Sequence, residues 1–264
     1  MRKSLRVAGL ATACTVAGAA LYATGAASAD QAEARPTKEP HNIGLLVGEI
    51  DAYYGATKGA DGVWKSSPHS PYAKDLARIQ AKAKKDIKKA AAHHPRHGKK
   101  PAIVLDVDDT ALLSFDYEKS TNYTYNNDSW NAYVNEAKRP AVFGMPDLVK
   151  YAKRKGVEVF FLTGLAEPLR QGAVTNLARA GYATALDRTH VFTKDKANPP
   201  AYLKNCATPT AWNCTTVQFK EGTRKYIEST GYDIVGSFGD QTSDLAGGYA
   251  DKTYKLPNPT YYVG

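Results

Sequence analysis

The segment from Ile103 to Thr110 runs without a break from an apolar stretch into three acidic side chains. Ile103, Val104 and Leu105 form a short apolar run of the kind that predicts a buried strand. The acids that follow would lie beyond its carboxyl end, where open α/β sheets place their ligands. Carboxylates this close repel one another unless a cation or a shared proton offsets the repulsion. A solvated acidic turn is the alternative that these residues alone leave open.

The remainder of the chain alternates between predicted helices and predicted strands. Strands that alternate with helices indicate an α/β fold, here a Rossmann-like, mostly parallel sheet flanked by helices. The tail after Asp244, with Pro257 and Pro259, is predicted to be irregular. Helices are predicted at residues 43–54, 72–93, 146–155, 167–180 and 219–230, and further strands at 157–162, 189–192 and 234–238.

The first 29 residues have the pattern of a secretory signal peptide. Basic residues precede an apolar stretch, and a small-residue cleavage motif ends at Ala29. We therefore expect a secreted protein whose residues 30–99 form a leader and helical extension, followed by a core at 100–264. Residues 112–145 are interpreted as an aromatic-rich insertion after the first strand, either a small packed subdomain or the rim of a pocket.

Composition and charge limit the classes of partner that the chain is expected to bind. The formal net charge of +9 is compatible with anionic substrates, but no arginine-rich run or zinc-finger spacing argues for a nucleic acid polymer. No segment predicts stable insertion into a membrane. The expected partner is a small molecule, and the oligomeric state stays open.

Two cysteines, Cys206 and Cys214, remain after the predicted cleavage. In an oxidising compartment a disulfide between them is the default. A metal site is the alternative, although it would need histidines, and none lies close in sequence.

Polar groups follow three of the predicted strands. Asp106 and Asp108 follow the first, Thr163 follows the second, and Asp240 and Asp244 follow the last. Because parallel strands end on one edge of a sheet, we expect these groups to converge, with Lys220 joining them from a helix. Carboxylates without a histidine or cysteine partner suit Mg²⁺, and an aspartate beside such an ion can attack phosphorus.

These motifs together resemble those of the haloacid dehalogenase (HAD) superfamily. Four features in chain order, over about residues 100–250, are similar to the four motifs of this superfamily. They are Asp106-x-Asp108-x-Thr110, a strand that ends in Thr163, Lys220, and Gly239-Asp240-x-x-x-Asp244. Within the superfamily, the chain resembles the secreted acid phosphatases of the class B and plant vegetative-storage type.

The resemblance implies a role for each motif residue. Asp106 would be the nucleophile and Asp108 the general acid/base, which favours a phosphatase over a dehalogenase because a halide needs no proton. Thr163 and Gly164 would bind the phosphoryl group, and Lys220 would hold it together with Asp106. Candidates for the lysine role also include Lys194, Lys196 and Lys204, while Asp109 is interpreted as structural. The implied Mg²⁺ ligands are Asp106, Asp108 through its backbone carbonyl, Asp240 and Asp244, the last of these either directly or through a water molecule.

The sequence thus predicts a secreted, Mg²⁺-dependent acid phosphatase that hydrolyses phosphomonoesters through an aspartyl-phosphate. Two alternatives stay open. One is a phosphotransferase of the same superfamily, and the other is a non-catalytic storage or binding protein on the same fold.

Overall fold

The computed structural model describes residues 40–93 and 98–263. Residues 44–264 form one compact unit, while nearly all of the other unit, residues 1–43, lies outside the described residues, as does the predicted signal peptide. No described helix is both long enough and apolar enough to cross a bilayer. The helices are α1 (Ile43–Tyr54), α2 (Pro71–Ala92), α3 (Phe115–Ser120), α4 (Asn127–Glu136), α5 (Met145–Arg154), α6 (Arg170–Arg179), α7 (Thr216–Ser229) and α8 (Thr242–Leu245).

A parallel sheet with the strand order β5-β4-β3-β8-β9 organises the fold, which confirms the predicted α/β class. Two short antiparallel hairpins, β1–β2 and β6–β7, stand apart from it. The strands are β1 (Thr57–Lys58), β2 (Trp64–Lys65), β3 (Lys100–Leu105), β4 (Glu158–Ala166), β5 (Val191–Lys194), β6 (Ala207–Thr208), β7 (Ala211–Trp212), β8 (Tyr232–Gly239) and β9 (Thr253–Lys255).

Alternate side chains of β3 point to opposite faces of the sheet, as the two-residue period of a strand requires. Ile103 and Leu105 belong to the larger apolar core, which includes buried residues of α1, α2 and α5. Ala102 and Val104 belong to a second core on the other face, together with Phe219 and Ile227 of α7. Because helices cover both faces, β3 is buried along nearly its whole length, and this explains its uninterrupted apolar sequence.

Local sequence signals account for where several helices begin. Ser70 caps α2, since its hydroxyl accepts a hydrogen bond from the Ala73 amide at 3.1 Å, and Pro71 occupies the first turn. Thr215 and Gln218 form a capping box at the start of α7. The prediction that this helix begins at residue 219 was therefore wrong, and Lys220 lies in its second turn.

The tail after Asp244 is not irregular throughout, which corrects the prediction. Residues Thr253–Lys255 form the edge strand β9 and pair in parallel with β8, where Phe238 lies opposite Tyr254. A three-residue strand has too little sequence to show a period of its own, so its conformation depends on the neighbouring strand.

Candidate active site

The candidate site is a cleft of about 400 Å³ at the carboxyl end of the parallel sheet. It lies where β3 and β8 run side by side, with Leu105 opposite Phe238. The Asp106 amide continues this pairing, since it donates to the Phe238 carbonyl at 2.9 Å. Of the predicted site residues, the cleft is lined by Asp106, Asp108, Gly164, Lys220, Asp240 and Asp244.

Three buried carboxylates, those of Asp106, Asp240 and Asp244, form the centre of the cleft. Each has an oxygen within 4.8 Å of an oxygen of the other two, so they can share one ion. The convergence predicted for the strand ends is therefore confirmed for these residues. Burial raises the pKa of Asp106 well above its ordinary value, while the charge of Lys220 opposes the rise.

Lys220 reaches this cluster from α7. Its Nζ atom lies 2.5 Å from one oxygen of Asp106 and 2.5 Å from one oxygen of Asp244. Burial alone would lower the pKa of Lys220, but the charges of the two aspartates outweigh it and raise the pKa, so the lysine stays charged. It leaves the second oxygen of Asp106 without a bond to the ammonium group.

The geometry of the motif that contains Asp240 and Asp244 depends on Gly239. A Cβ atom at this position would lie 2.2 Å from the Cβ of Asp244, so a side chain here would displace the aspartate. Asp244 in turn accepts a hydrogen bond from the Gln241 amide at 2.8 Å at the start of α8. The motif therefore folds into a tight turn that brings Asp244 back toward Asp240.

Asp240 has neutral donors around it. Its oxygens accept hydrogen bonds from Thr110 Oγ1 at 3.1 Å, Gln241 Nε2 at 2.7 Å and Asn258 Nδ2 at 2.8 Å. Burial and the charge of Asp244 raise the pKa of Asp240, and the two amide donors work against the rise. The tail thus supports the site, since Asn258 lies beyond β9.

The central cluster fits a hard divalent cation. The three carboxylates and the Lys220 ammonium together carry a net charge of −2 when all are ionised, and oxygen is the only donor element that the carboxylates offer. Such oxygen donors suit Mg²⁺ or a similar ion. The raised pKa values of Asp106 and Asp240 have the same origin, because burial makes uncompensated carboxylates costly.

Asp108 faces the same cleft but has different partners. One of its oxygens lies 2.5 Å from Nη1 of Arg139, whose side chain is fully buried. The other accepts a hydrogen bond from the Thr163 hydroxyl at 3.0 Å. Arg139 is positioned by Asn176 of α6, whose side chain bonds to its backbone amide and carbonyl. Asp108 is thus held from two sides.

Thr163 does not line the cleft. Its side chain is fully buried, and its hydroxyl donates to Asp108 while accepting from the Leu165 amide at 3.0 Å. The neighbouring Gly164 does line the cleft. Contact of the Thr163 hydroxyl with a phosphoryl group therefore stays a prediction, whereas its contact with Asp108 is present.

Asp109 has a positive φ of 51°, which is uncommon for a residue other than glycine. Its carboxylate accepts hydrogen bonds from the Ser114 amide at 2.9 Å and from the Ser114 hydroxyl. Burial and the charge of Asp240 raise the pKa of Asp109 to about 7. These bonds close the turn after β3, which agrees with the structural interpretation of this acid.

Lys194 also reaches the cleft, from the end of β5. Its Nζ atom lies 3.4 Å from the Thr216 hydroxyl. Burial and the nearby charge of Lys220 lower the pKa of Lys194. Of the lysines considered for the phosphate-binding role, Lys220 and Lys194 line the cleft, whereas Lys196 and Lys204 do not.

Aromatic side chains form the rim of the cleft. Three come from the insertion and two from the tail, so the insertion both packs as a subdomain and lines a pocket. Within it, the rings of Tyr117 and Trp130 have centroids 5.1 Å apart. The rim consists of Tyr123, Tyr125, Trp130, Tyr261 and Tyr262.

Cys206 and Cys214 form a disulfide that closes the loop around the β6–β7 hairpin. This is the pairing predicted from the sequence. The bridge belongs to the segment before α7 and none of its atoms lines the cleft.

Several residues of the site were missed by sequence reasoning. Arg139 is 31 positions from the aspartate it contacts, and no local pattern marks that pairing. Glu118 and Ser243 lie in short helices, and the hydroxyl of Ser243 is buried without a hydrogen-bond partner among the described residues. The one available signal was the density of aromatic residues in the insertion, which indicated a pocket but not its other members.

Comparison with known proteins gives a consistent family. Residues 61–264 match the model of the HAD superfamily, subfamily IIIB (Acid phosphatase). The chain is 34% identical to the stem 28 kDa glycoprotein of Glycine max over 62% of this chain and 61% of that protein. It is 29% identical to acid phosphatase 1 of Solanum lycopersicum, over 61% of this chain and 58% of that protein. The matched region thus spans about three fifths of the length of these curated relatives.

The fold is also similar to a solved structure, that of the class C acid phosphatase from Bacillus anthracis with tungstate bound. The TM-score is 0.57 at 21% identity, and the match covers 74% of this chain and 81% of the other. At this identity the similarity concerns the fold.

Proposed function

We propose that this chain, which belongs to the HAD superfamily, subfamily IIIB (acid phosphatase), hydrolyses small phosphomonoesters in a Mg²⁺-dependent reaction. The main support for this proposal is the arrangement of charged side chains in the cleft. The buried Asp106 carboxylate lies in a cleft beside Asp240 and Asp244, with Lys220 at 2.5 Å and Asp108 on the same wall. This arrangement combines a nucleophile, a cation site and a proton donor.

In the proposed reaction, an oxygen of Asp106 attacks phosphorus and the bond between phosphorus and the ester oxygen breaks. Asp108 transfers a proton to the leaving alkoxide, so the first product is a neutral alcohol. Asp108 then takes a proton from water, which attacks the aspartyl-phosphate and releases phosphate and the free Asp106 carboxylate. Because Asp108 must be protonated in the first step, we expect a mildly acidic optimum.

The other charged groups stabilise the phosphoryl group. Lys220 and Lys194 place positive charge on the cleft wall, where negative charge accumulates during transfer. Asp106, Asp240 and Asp244, with the backbone carbonyl of Asp108, would hold Mg²⁺, which supplies further positive charge at the phosphoryl oxygens. Thr163 orients Asp108, and Gly164 leaves room for the substrate beside Lys194.

The proposal is tested by p-nitrophenyl phosphate hydrolysis with and without EDTA. We expect EDTA to abolish turnover and added Mg²⁺ to restore it. Asp106→Asn should reduce kcat by at least about a thousandfold while the circular dichroism spectrum is unchanged, because the amide is a poor nucleophile. Full activity of Asp106→Asn would exclude the aspartyl-phosphate route.

Two alternatives can be separated from hydrolysis. A phosphotransferase would form a new phosphomonoester when an acceptor alcohol or nucleoside competes with water, and product analysis would detect it. A storage protein on this fold would show no turnover, although the intact Asp106 favours an enzyme.

We further propose that the protein is secreted, after cleavage of the signal peptide near Ala29. The disulfide supports this, because such bonds persist in oxidising compartments. Mass spectrometry of the protein from the culture medium should find a mature chain that begins at Asp30.

A further inference from the structure

Glu118 is a largely buried residue that lines the cleft, and its carboxylate has no hydrogen-bond partner in the part of the chain that the structure describes. It lies in α3, its residue is 8% exposed, and it lines the same cleft as Asp106 and Asp240. Among the described residues, no hydrogen bond or ion pair reaches its carboxylate. Burial and the charge of Asp109 raise the pKa of Glu118 to about 7. A carboxylate in such a place is costly unless it meets a donor or a cation.

The nearby protein cations are bound to other groups. Lys119, the next residue in α3, lies 2.6 Å from Asp51 and over the ring of Trp64. Lys220 is held by its two aspartates, and Lys194 lies next to Thr216. None of these ammonium groups forms an ion pair with Glu118, which leaves its carboxylate available to a cationic group of a ligand.

Aromatic rings surround the same space. Tyr123, Tyr125, Trp130 and Tyr262 line the cleft with Glu118. Two of these rings already contact cations of the protein, since Lys119 lies over Tyr123 and Arg139 over Trp130 at 5.8 and 5.6 Å from the ring centroids. Aromatic faces combined with a carboxylate form the environment that binds alkylammonium groups.

We propose that Glu118 is a specificity-determining residue that selects phosphomonoesters whose leaving alcohol carries a cationic ammonium group. The inference rests on the proposed phosphatase function. The phosphoryl end of the substrate lies at Asp106, and the ammonium group lies among the aromatic rim with Glu118 as its counter-charge. Leaving groups with a carboxylate or a second phosphate are repelled by the same side chain.

The test compares two substrates of the same shape. Phosphocholine and 3,3-dimethylbutyl phosphate differ in that a quaternary nitrogen replaces a quaternary carbon. At about pH 8, where Glu118 is ionised, we expect the wild-type protein with Mg²⁺ to favour phosphocholine by about tenfold or more in kcat/KM, and Glu118→Gln to reduce this preference to about twofold or less. Each rate is expressed relative to hydrolysis of p-nitrophenyl phosphate by the same protein, since that leaving group has no cation.

Glu136→Gln is the matched control, because Glu136 is an exposed acid of α4 that does not line the cleft. It should keep the full preference for phosphocholine. Equal use of the two substrates by the wild-type protein, or an unchanged preference in Glu118→Gln, would overturn the assignment. A wild-type protein inactive on p-nitrophenyl phosphate would instead contradict the proposed phosphatase function.

A second measurement needs no variant. The phosphonate analogues of the two substrates, in which a methylene group replaces the ester oxygen, should inhibit wild-type hydrolysis of p-nitrophenyl phosphate unequally. We expect the cationic analogue to bind about tenfold more tightly. Equal inhibition constants would overturn the proposal even if Glu118→Gln failed to fold.

Discussion

Asp106, Asp108 and Asp240 carry the same functional group in one cleft, yet each has different partners. Asp106 has an ammonium group at 2.5 Å, and Asp108 has a guanidinium at 2.5 Å and a hydroxyl. Within residues 40–93 and 98–263, the hydrogen-bond donors to Asp240 are all neutral. These surroundings match the three proposed roles. The nucleophile is held by a lysine, the proton donor is fixed in orientation, and the cation ligand keeps its charge for an ion.

Arg139 is predicted to position Asp108 for proton transfer. Arg139→Met keeps the buried volume filled but removes the bond to the Asp108 oxygen, so the carboxyl group is expected to sample other orientations. We expect kcat to fall by about ten- to a hundredfold and KM to change by less than about threefold, because misplacement acts on the chemical step. Steady-state kinetics on p-nitrophenyl phosphate measures both.

Arg179→Met is the control for this effect. Arg179 donates to the Ala137 carbonyl in the same region but does not contact Asp108, so the variant should keep wild-type kcat. Arg139→Lys should recover part of the loss, since its ammonium can still reach a carboxylate. If Arg139→Met raised KM and left kcat unchanged, the side chain would serve substrate binding and not the orientation of Asp108.

The raised pKa of Glu118 predicts that the free energy of unfolding depends on pH. Its pKa of about 7 in the folded protein lies above the ordinary value of 4.5, so the folded state binds more protons between these values. The free energy of unfolding therefore falls as the pH rises from about 4.5 to about 7, and the penalty remains above that range. Glu118→Gln stays neutral, so its stability relative to wild type should be greater at about pH 8 than at about pH 5, by about 1–2 kcal/mol once solvent screening in the open cleft is allowed for. Urea unfolding with EDTA present measures the difference, and a gap that does not vary with pH would contradict the prediction.

At the scale of secondary structure elements, the insertion is attached to the core through α4 and α6. Val134 of α4 packs with Leu165, Leu169 and Ala173 in a small apolar cluster of its own. Arg139, just after α4, bonds to Asn176 of α6. The contact between these two helices therefore determines where Trp130 and Arg139 lie with respect to Asp108.

Gly172 permits the close approach of α6 to α4. A Cβ atom here would lie 2.8 Å from the Val134 carbonyl oxygen and 3.0 Å from the Asn135 Cα, both of them backbone atoms. Although alanine is the better helix former by up to about 1 kcal/mol, we expect Gly172→Ala to destabilise the fold by about 1–3 kcal/mol. Gly48→Ala in α1, where the new methyl group would meet nothing within 4 Å, should instead be neutral or stabilising. Thermal unfolding of the two variants checks the difference in sign.

The elements that could be predicted from the sequence are those with a local signal. The strand before Asp106 and the helix at α2 have a clear apolar pattern, and the structure contains both. Lys220 was selected although the helix begins three residues earlier than predicted; the start was misplaced because the Thr215–Gln218 capping signal was overlooked. The edge strand β9, the Arg139–Asp108 pair and the position of Glu118 depend on contacts between distant segments, which a single sequence does not reveal.

At the scale of the whole molecule, the cleft is assembled from segments far apart in the chain. Thr110 bonds to Asp240 across 130 positions, and the last described residues return to the same place. Within that tail, Asn258 donates to Asp240, and the Val263 amide donates to the Gln241 side chain at 3.0 Å. The end of the chain thus completes a site that begins at β3.

Removal of the tail after β9 is predicted to weaken cation binding more than folding. A chain that ends at Leu256 keeps the sheet, including β9, but loses the Asn258 donor to Asp240 and the rim residues Tyr261 and Tyr262. Asp240 would then be more mobile, and we expect the Mg²⁺ concentration for half-maximal activity to rise by about tenfold or more, as for other groups that orient metal ligands. Asn258→Ala should produce a smaller shift in the same direction, whereas Lys255→Ala, which removes an exposed side chain of β9, should produce none.

Titration of Mg²⁺ against p-nitrophenyl phosphate hydrolysis measures the shift, with the circular dichroism spectrum as the check on folding. A truncated chain with an unchanged Mg²⁺ requirement would show that the aspartates and Lys220 hold the ion without the tail.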